Sequence, residues 1–278
     1  MKTHCYFLII AVVIAVSCKS DNNDIEPEPP CVSNNALTPC GAVYSSWECM
    51  NMPRPDDSYN FPVCPGMEEW GDFKTAKELD NACEVPPCVL QEMSTQAVIQ
   101  ALWEHPLLIT HFLAIDYKYG NTDDRFARYG AYLELCTRED AGAALLYRLL
   151  LVNPIPKGLN MQPQVLELLL SNMFFLSQLD DNEKHTVIST VITNDDLRQA
   201  DEEGWGVFLR HSVWLLIGRT MYAADYIPFV EEVNNNEELR LYLNGRSKSG
   251  YPNTYFPDSY SDMIHIIKDF SINYLNEQ

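Results

Sequence analysis

Apolar residues recur at intervals of three and four along most of this chain, and no stretch of useful length alternates apolar with polar. That period places them on one face of a helix, whereas a half-buried strand needs a period of two. Met67-Glu68-Glu69-Trp70 opens a short helix after Pro65-Gly66, and Thr75 can cap a second, with Glu78 in its first turn and its end near Cys83. Ser94 or Thr95 caps a helix over 96–105, on which Val98, Ile99, Leu102 and Trp103 share a face. Pro106 suits a first helical position and starts 107–119, closed by Gly120. Thr122-Asp123-Asp124 begins the next helix. Thr137-Arg138-Glu139-Asp140 begins another, running to Val152 before Asn153-Pro154 stops it.

Two stretches are apolar almost all round. The first, 164–179, carries Val165, Leu166, Leu168, Leu169, Leu170, Met173, Phe174, Phe175 and Leu176; the second, 205–222, carries Val207, Phe208, Val213, Trp214, Leu216, Ile217 and Met221. Helices like these belong in the middle of a packed body. The first is too short, and too interrupted by Glu167, Ser171 and Asn172, to span a membrane. Between them, Asp180-Asp181-Asn182-Glu183 caps a helix holding Val187, Ile188, Val191 and Ile192, and a short helix after Asn194 leads to Gly204. A final helix covers 260–275, with Met263, Ile264, Ile266, Ile267, Phe270 and Tyr274. Short turns between consecutive helices favour antiparallel hairpins. The expected fold is all-α: an irregular helical bundle or short α-solenoid of about 8–10 helices with no fixed repeat period.

The start of the chain is different in kind. A short cationic Met1-Lys2-Thr3-His4 leads into an apolar run from Tyr6 to Val16, then Ser17-Cys18. The run is shorter than the roughly 20 residues a spanning helix needs, and has the length of a signal-peptide core. With Ala15 and Ser17 just before Cys18, it resembles the bacterial lipoprotein signal. That resemblance implies cleavage after residue 17 and lipidation, palmitate included, of Cys18. Val16 and Ala15 depart from the commonest residues of that motif. Lys19-Ser20-Asp21-Asn22-Asn23-Asp24 then looks like the surface-export signal of Bacteroidota lipoproteins, which implies an outer-membrane, surface-exposed location. Glu26-Pro27-Glu28-Pro29-Pro30 continues as a stiff, extended tether, so 18–30 separates membrane from body.

Residues 31–92 hold six cysteines, Cys31, Cys40, Cys49, Cys64, Cys83 and Cys88, among frequent prolines. In an exported chain these read as disulfide partners stapling an irregular arm, with 15 possible pairings for six thiols. A zinc site is the alternative, but no close Cys-x-x-Cys pair exists. Trp47, Tyr59 and Phe61 are the arm's expected anchors. Cys136, inside an apolar helical stretch, reads as a core thiol. The all-helical domain is expected to occupy 93–278.

Formal charge is −20, and becomes −21 once Lys2 leaves with the signal. Such a surface repels nucleic acid and anionic lipid, whose phosphates require clustered Lys and Arg. His105 and His111 flank Pro106, with Glu104 and Asp116 nearby, but a spacing of six across a helix break is wrong for a metal pair. The paired acids Asp56-Asp57, Asp123-Asp124, Asp180-Asp181 and Asp195-Asp196 mostly sit at helix starts, where capping explains them; glycosidase chemistry needs two carboxylates facing across a cleft. No nucleophile elbow, phosphate loop or calcium loop occurs. Tyr251, Tyr255, Phe256 and Tyr260 cluster around a polar segment with Gly and Pro, the best candidate for an exposed binding loop.

Five segments carry a wider resemblance: 59–62 (Tyr-Asn-Phe-Pro), 65–70 (Pro-Gly-Met-Glu-Glu-Trp), 93–97 (Met-Ser-Thr-Gln-Ala), 103–108 (Trp-Glu-His-Pro-Leu-Leu) and 140–142 (Asp-Ala-Gly). Here the chain resembles a group of uncharacterised exported helical proteins of gut Bacteroidota, over roughly 47–220. The resemblance implies an all-helical fold and an envelope location, and no activity. The expectation is therefore a lipid-anchored, non-enzymatic protein or peptide interaction module without catalytic residue, metal or cofactor. The alternatives are a glycan-binding accessory lipoprotein and a hydrolase whose site is assembled from distant residues.

Overall fold

A computed structural model describes residues 54–108, 126–155, 162–200, 207–245 and 260–277, without the side chains of 162, 207–210 and 260. After a 3-10 turn at Glu68–Gly71, the helices in chain order are α1 (Ala76–Cys83), α2 (Pro87–Glu92), α3 (Thr95–Trp103), α4 (Gly130–Leu135), α5 (Ala141–Leu151) and α6 (Gln162–Leu170). There follow α7 (Met173–Leu176), α8 (Asp181–Ala200), α9 (Val207–Ala223), α10 (Ile227–Asn235), α11 (Glu237–Leu243) and α12 (Tyr260–Asn276). No strand occurs among the described residues, and the fold is an all-α bundle.

Local chemistry sets the helix starts. Thr75 Oγ1 accepts from the Glu78 N–H at 3.2 Å while Glu78 accepts from the Lys74 N–H at 2.9 Å, opening α1. Asp180 and Glu183 form a reciprocal cap on α8, with bonds of 2.8 and 2.9 Å. Ser94 is the N-cap of α3 and Asn236 of α11. Three results differ from the sequence expectation. The apolar stretch over 164–179 is two helices: Asn172 turns its Oδ1 to the Phe174 N–H and its Nδ2 to the Tyr132 hydroxyl, which breaks the helix and restarts it as α7. Conversely α8 runs unbroken through Asn194, because Asp195 and Arg198 on its last turns are buried and bonded rather than solvated. Helices α2, α10 and α11 lie in stretches with no such expectation. Proline at the first turn, which needs no backbone donor there, helps to start α2 and α10.

Helix α9 is the axis of the bundle, packed against α6, α7, α8, α10, α11 and α12. Residues 212 to 221 on it are all buried. The remaining layers are α5 on α6 and α8, and α3 between α4 and α5. Gly142 lets α5 approach the turn after α7. A Cβ there would fall inside the van der Waals radius of the Phe175 carbonyl oxygen and 3.1 Å from Gln178 Cβ.

Three arginines lie inside this apolar body, each neutralised differently. Arg198 on α8 pairs with Glu167 of α6 at 2.7 Å and donates to the Pro154 carbonyl at 2.9 Å; Ser212 of α9 donates to the other Glu167 oxygen at 2.5 Å. Arg219 on α9 donates to the carbonyls of Leu243 (2.7 Å) and Ser171 (3.1 Å), at the negative C-terminal ends of α11 and α6. Arg148 on α5 touches no carboxylate. It donates to the Gln96 side chain (2.8 Å), the Gln96 carbonyl (2.6 Å) and Gln100 Oε1 (2.7 Å), and Gln100 in turn donates to Glu104 at 2.8 Å. Burial pulls the Arg148 guanidinium down to about 10, and Glu104 opposes the shift.

The arm is part of the same core. Tyr59, Phe61 and Cys64 are buried in it, along with Val85 and Leu90. Arg54 grips Glu104 with Nε and Nη2 at 3.0–3.1 Å, and Asp57 accepts from both the N–H and the hydroxyl of Ser94 at 2.6 and 3.1 Å.

Two outcomes follow. Glu167→Gln strands the Arg198 charge and lowers unfolding free energy by about 3–5 kcal/mol, read by urea denaturation; Glu167→Leu combined with Arg198→Leu recovers most of that loss. Gly142→Ala forces α5 off the α7 turn and costs about 1–3 kcal/mol, read as a fall in melting temperature.

Candidate interaction face

The sequence of α5, Ala-Gly-Ala-Ala-Leu-Leu-Tyr-Arg-Leu-Leu-Leu, contains a single charge. That charge, Arg148, is turned fully inward. What remains outward is Ala143, Tyr147 and Leu150, at positions i, i+4 and i+7 of one helix face. Tyr147 is 52% exposed and Leu150 50%. Helix α8 lies beside α5 and runs in the same direction. At one end the Gly142 N–H donates to Gln178, three residues before α8, at 2.6 Å; at the other, Arg198 reaches Pro154, three residues after α5. Leu197, also half-exposed, sits next to Arg198 at that far end. Between His185 and Asn194, α8 carries no Asp, Glu, Lys or Arg.

Charge returns only at the ends. Glu139 and Asp140 precede α5, Asp180 precedes α8 and Asp181 opens it, and all four are exposed. They gather at the shared N-terminal end, where helix dipoles favour anions. Asp140 accepts from Thr95 at 2.6 Å and Asp181 stands 3.7 Å from Lys184, so the acids are only partly compensated. Among described residues, no base on α5 or α8 is exposed: Arg148, Lys184 and Arg198 are all buried. The arrangement is an uncharged face, an apolar strip of Ala143, Tyr147 and Leu150 on α5 beside the hydroxyl-bearing Thr186, Ser189 and Thr193 of α8, closed at one end by four carboxylates.

The residues singled out from sequence fall elsewhere. Cys18, Tyr251, Tyr255 and Phe256 lie outside the described residues; Tyr260 opens α12, its side chain likewise outside them. Of the six arm cysteines, Cys64 and Cys88 are disulfide-bonded, and Cys31, Cys40 and Cys49 lie outside the described residues. Cys83 corrects the expectation. It forms no disulfide and is fully buried at the end of α1, where burial and then the neighbouring Asp80 and Glu84 push its thiol up to about 12. The neutral thiol is the stable form at that place. Cys136 is half-buried against the core.

His105 and Glu104 come together with arm residues rather than with a metal. The Leu107 N–H donates to His105 Nδ1 at 3.2 Å, and Nε2 lies 3.7 Å from Glu84 Oε1. Phe61 and Tyr129 meet the His105 ring edge-on at 5.6 and 4.6 Å. The Tyr129 phenol is pushed well up by its burial; Arg128 opposes the shift, and Glu84 and Asp80 add to it. His111 and Asp116 lie outside the described residues. Among the described residues, no group of three His, Cys, Asp or Glu side chains could hold a metal ion, and no described helix is long and apolar enough to cross a membrane.

Sequence reasoning placed the helix that forms this face but missed the face itself. The available signal was an eleven-residue helix whose only charge, Arg148, has no acid three or four positions away on α5 to pair with.

Comparison with known proteins finds no matching family, no matching curated protein and no matching solved structure.

Because Tyr147 and Leu150 are half-exposed on the outer side of α5, Tyr147→Asp and Leu150→Asp each lower the unfolding free energy by no more than about 1–2 kcal/mol, as measured by urea titration. A loss of several kcal/mol in either variant would show that the face is part of the core.

Proposed function

We propose that this is a lipid-anchored envelope protein that acts as a non-enzymatic protein or peptide interaction module, held to the membrane through Cys18. The observation that carries the reading is the outward face of α5. A molecule of formal charge −20 displays half-exposed Tyr147 and Leu150 on a helix with no exposed charge. Solubility alone favours charge at such positions, and an apolar helix face without charge is the kind of surface that recognition uses. The use of interior charge points the same way. Glu104 and Glu167 are taken up by Arg54 and Arg198, and Arg148 by the glutamines of α3. These groups fasten helices together. The acidic surface accords with a partner that is neither nucleic acid nor anionic lipid. Attachment through Cys18 rests on the signal and lipobox-like residues at the start of the chain, and the outer-membrane, surface-exposed location on the polar acidic run that follows.

Two measurements test this. An alkyne analogue of palmitate fed to cells labels the wild-type protein and not Cys18→Ser; equal labelling of both would remove the anchor. Cleavable chemical cross-linking of intact cells then yields a discrete adduct of the anchored protein with another polypeptide. A protein that stays un-cross-linked across growth conditions is no interaction module.

A further inference from the structure

We infer that the face of α5 and α8 docks one amphipathic helix of another protein, its apolar stripe ending in basic residues. The inference rests on the interaction reading and names the partner's chemistry. A helix that is apolar all round belongs in an interior. On α5 the inward side is packed against α3, α6, α7 and α8, while Ala143, Tyr147 and Leu150 are left outside. Their spacing of i, i+4 and i+7 is that of a helix surface that meets another helix.

The size of the face selects its occupant. Eleven residues make a helix about 16 Å long, and two adjacent helices about 10 Å wide each give a footprint of roughly 300 Å². A stable subunit interface buries about 800 Å² on each partner. The face therefore fits a single helix better than a second copy of this chain.

Charge makes the same selection. Glu139, Asp140, Asp180 and Asp181 close the N-terminal end of the face, and its far end adds the exposed Asp196. With no exposed base on α5 or α8, a second copy brings only acids to meet acids in either direction of packing. A helix with Lys or Arg at one end seats those residues over the four carboxylates and its apolar residues on Tyr147 and Leu150. The acids thereby fix the direction in which it lies.

Photo-cross-linking of the full lipidated chain in cells tests this. Benzoylphenylalanine replaces Tyr147 or Leu150 in turn, and Ile227, 63% exposed on α10, serves as the comparison site. The expected result is adducts from positions 147 and 150 but not 227. Mapped by mass spectrometry, they lie in a segment with apolar residues at i, i+3 or i+4, and i+7, with Lys or Arg at one end. Glu139→Gln with Asp181→Asn lowers adduct yield several-fold, with unchanged far-ultraviolet circular dichroism. Adducts to a second copy of this chain, to lipid, or to a segment lacking that pattern overturn the inference, as does unchanged yield in the acid-neutralised variant. Adducts from 227 alone overturn it and leave the interaction reading standing. Absence of adducts at all three sites, together with failure of chemical cross-linking, sinks both.

Discussion

An arginine inside an apolar helical body must find its counter-charge among whatever the neighbouring helices offer. An unpaired buried ion costs several kcal/mol, comparable to the whole net stability of a domain. This constraint governs the arrangement of the bundle. Arg198 ties α8 to α6 and to the segment after α5; Arg219 ties α9 to the ends of α6 and α11; Arg148 ties α5 to α3. Helices satisfy their own backbone bonds, so apolar contacts alone leave their relative rotation and sliding loosely set. Each guanidinium instead selects particular turns, because its rigid fork of donors accepts only a few geometries.

The third arginine has the widest reach. Arg148 has no acid beside it, and its charge passes to Glu104 through the carboxamide of Gln100. Glu104 also receives Arg54 from the arm. One carboxylate thus serves a cation of the arm directly and a cation of the core through an amide, and the arm becomes part of the charge balance of the body. Turning Arg148 inward has a second effect. It removes the single charge that could have solvated α5, so that the same residue that completes the interior leaves the exterior of its helix apolar.

The arm follows the same logic with different groups. Asp57 takes the free donors at the start of α3, and Tyr59 and Phe61 bury themselves beside His105 at its end. Cys83, buried beside Asp80 and Glu84, is held as a neutral thiol. Cys64 is buried too and yet disulfide-bonded, so burial alone does not separate these thiols.

Much of the helical pattern was legible in the order of residues. The starts of α1, α3 and α8 follow from Thr75, Ser94 and Asp180, because capping is a contact between residues three apart. The central position of α9 follows from apolar residues on every side. The division of 164–179 by Asn172, the continuation of α8 past Asn194, the burial of Cys83 and the outward face of α5 did not follow. Each depends on a partner 31 to 52 positions away, or on burial that distant segments create: Tyr132 for Asn172, Glu167 for Arg198, Gln96 and Gln100 for Arg148. Sequence by itself determined what neighbours along the chain can do for one another, namely where helices start and which sides are apolar. Tertiary structure decided which polar groups are drawn inside and which apolar ones are left out, because the free energy of a buried charge depends on what stands across from it.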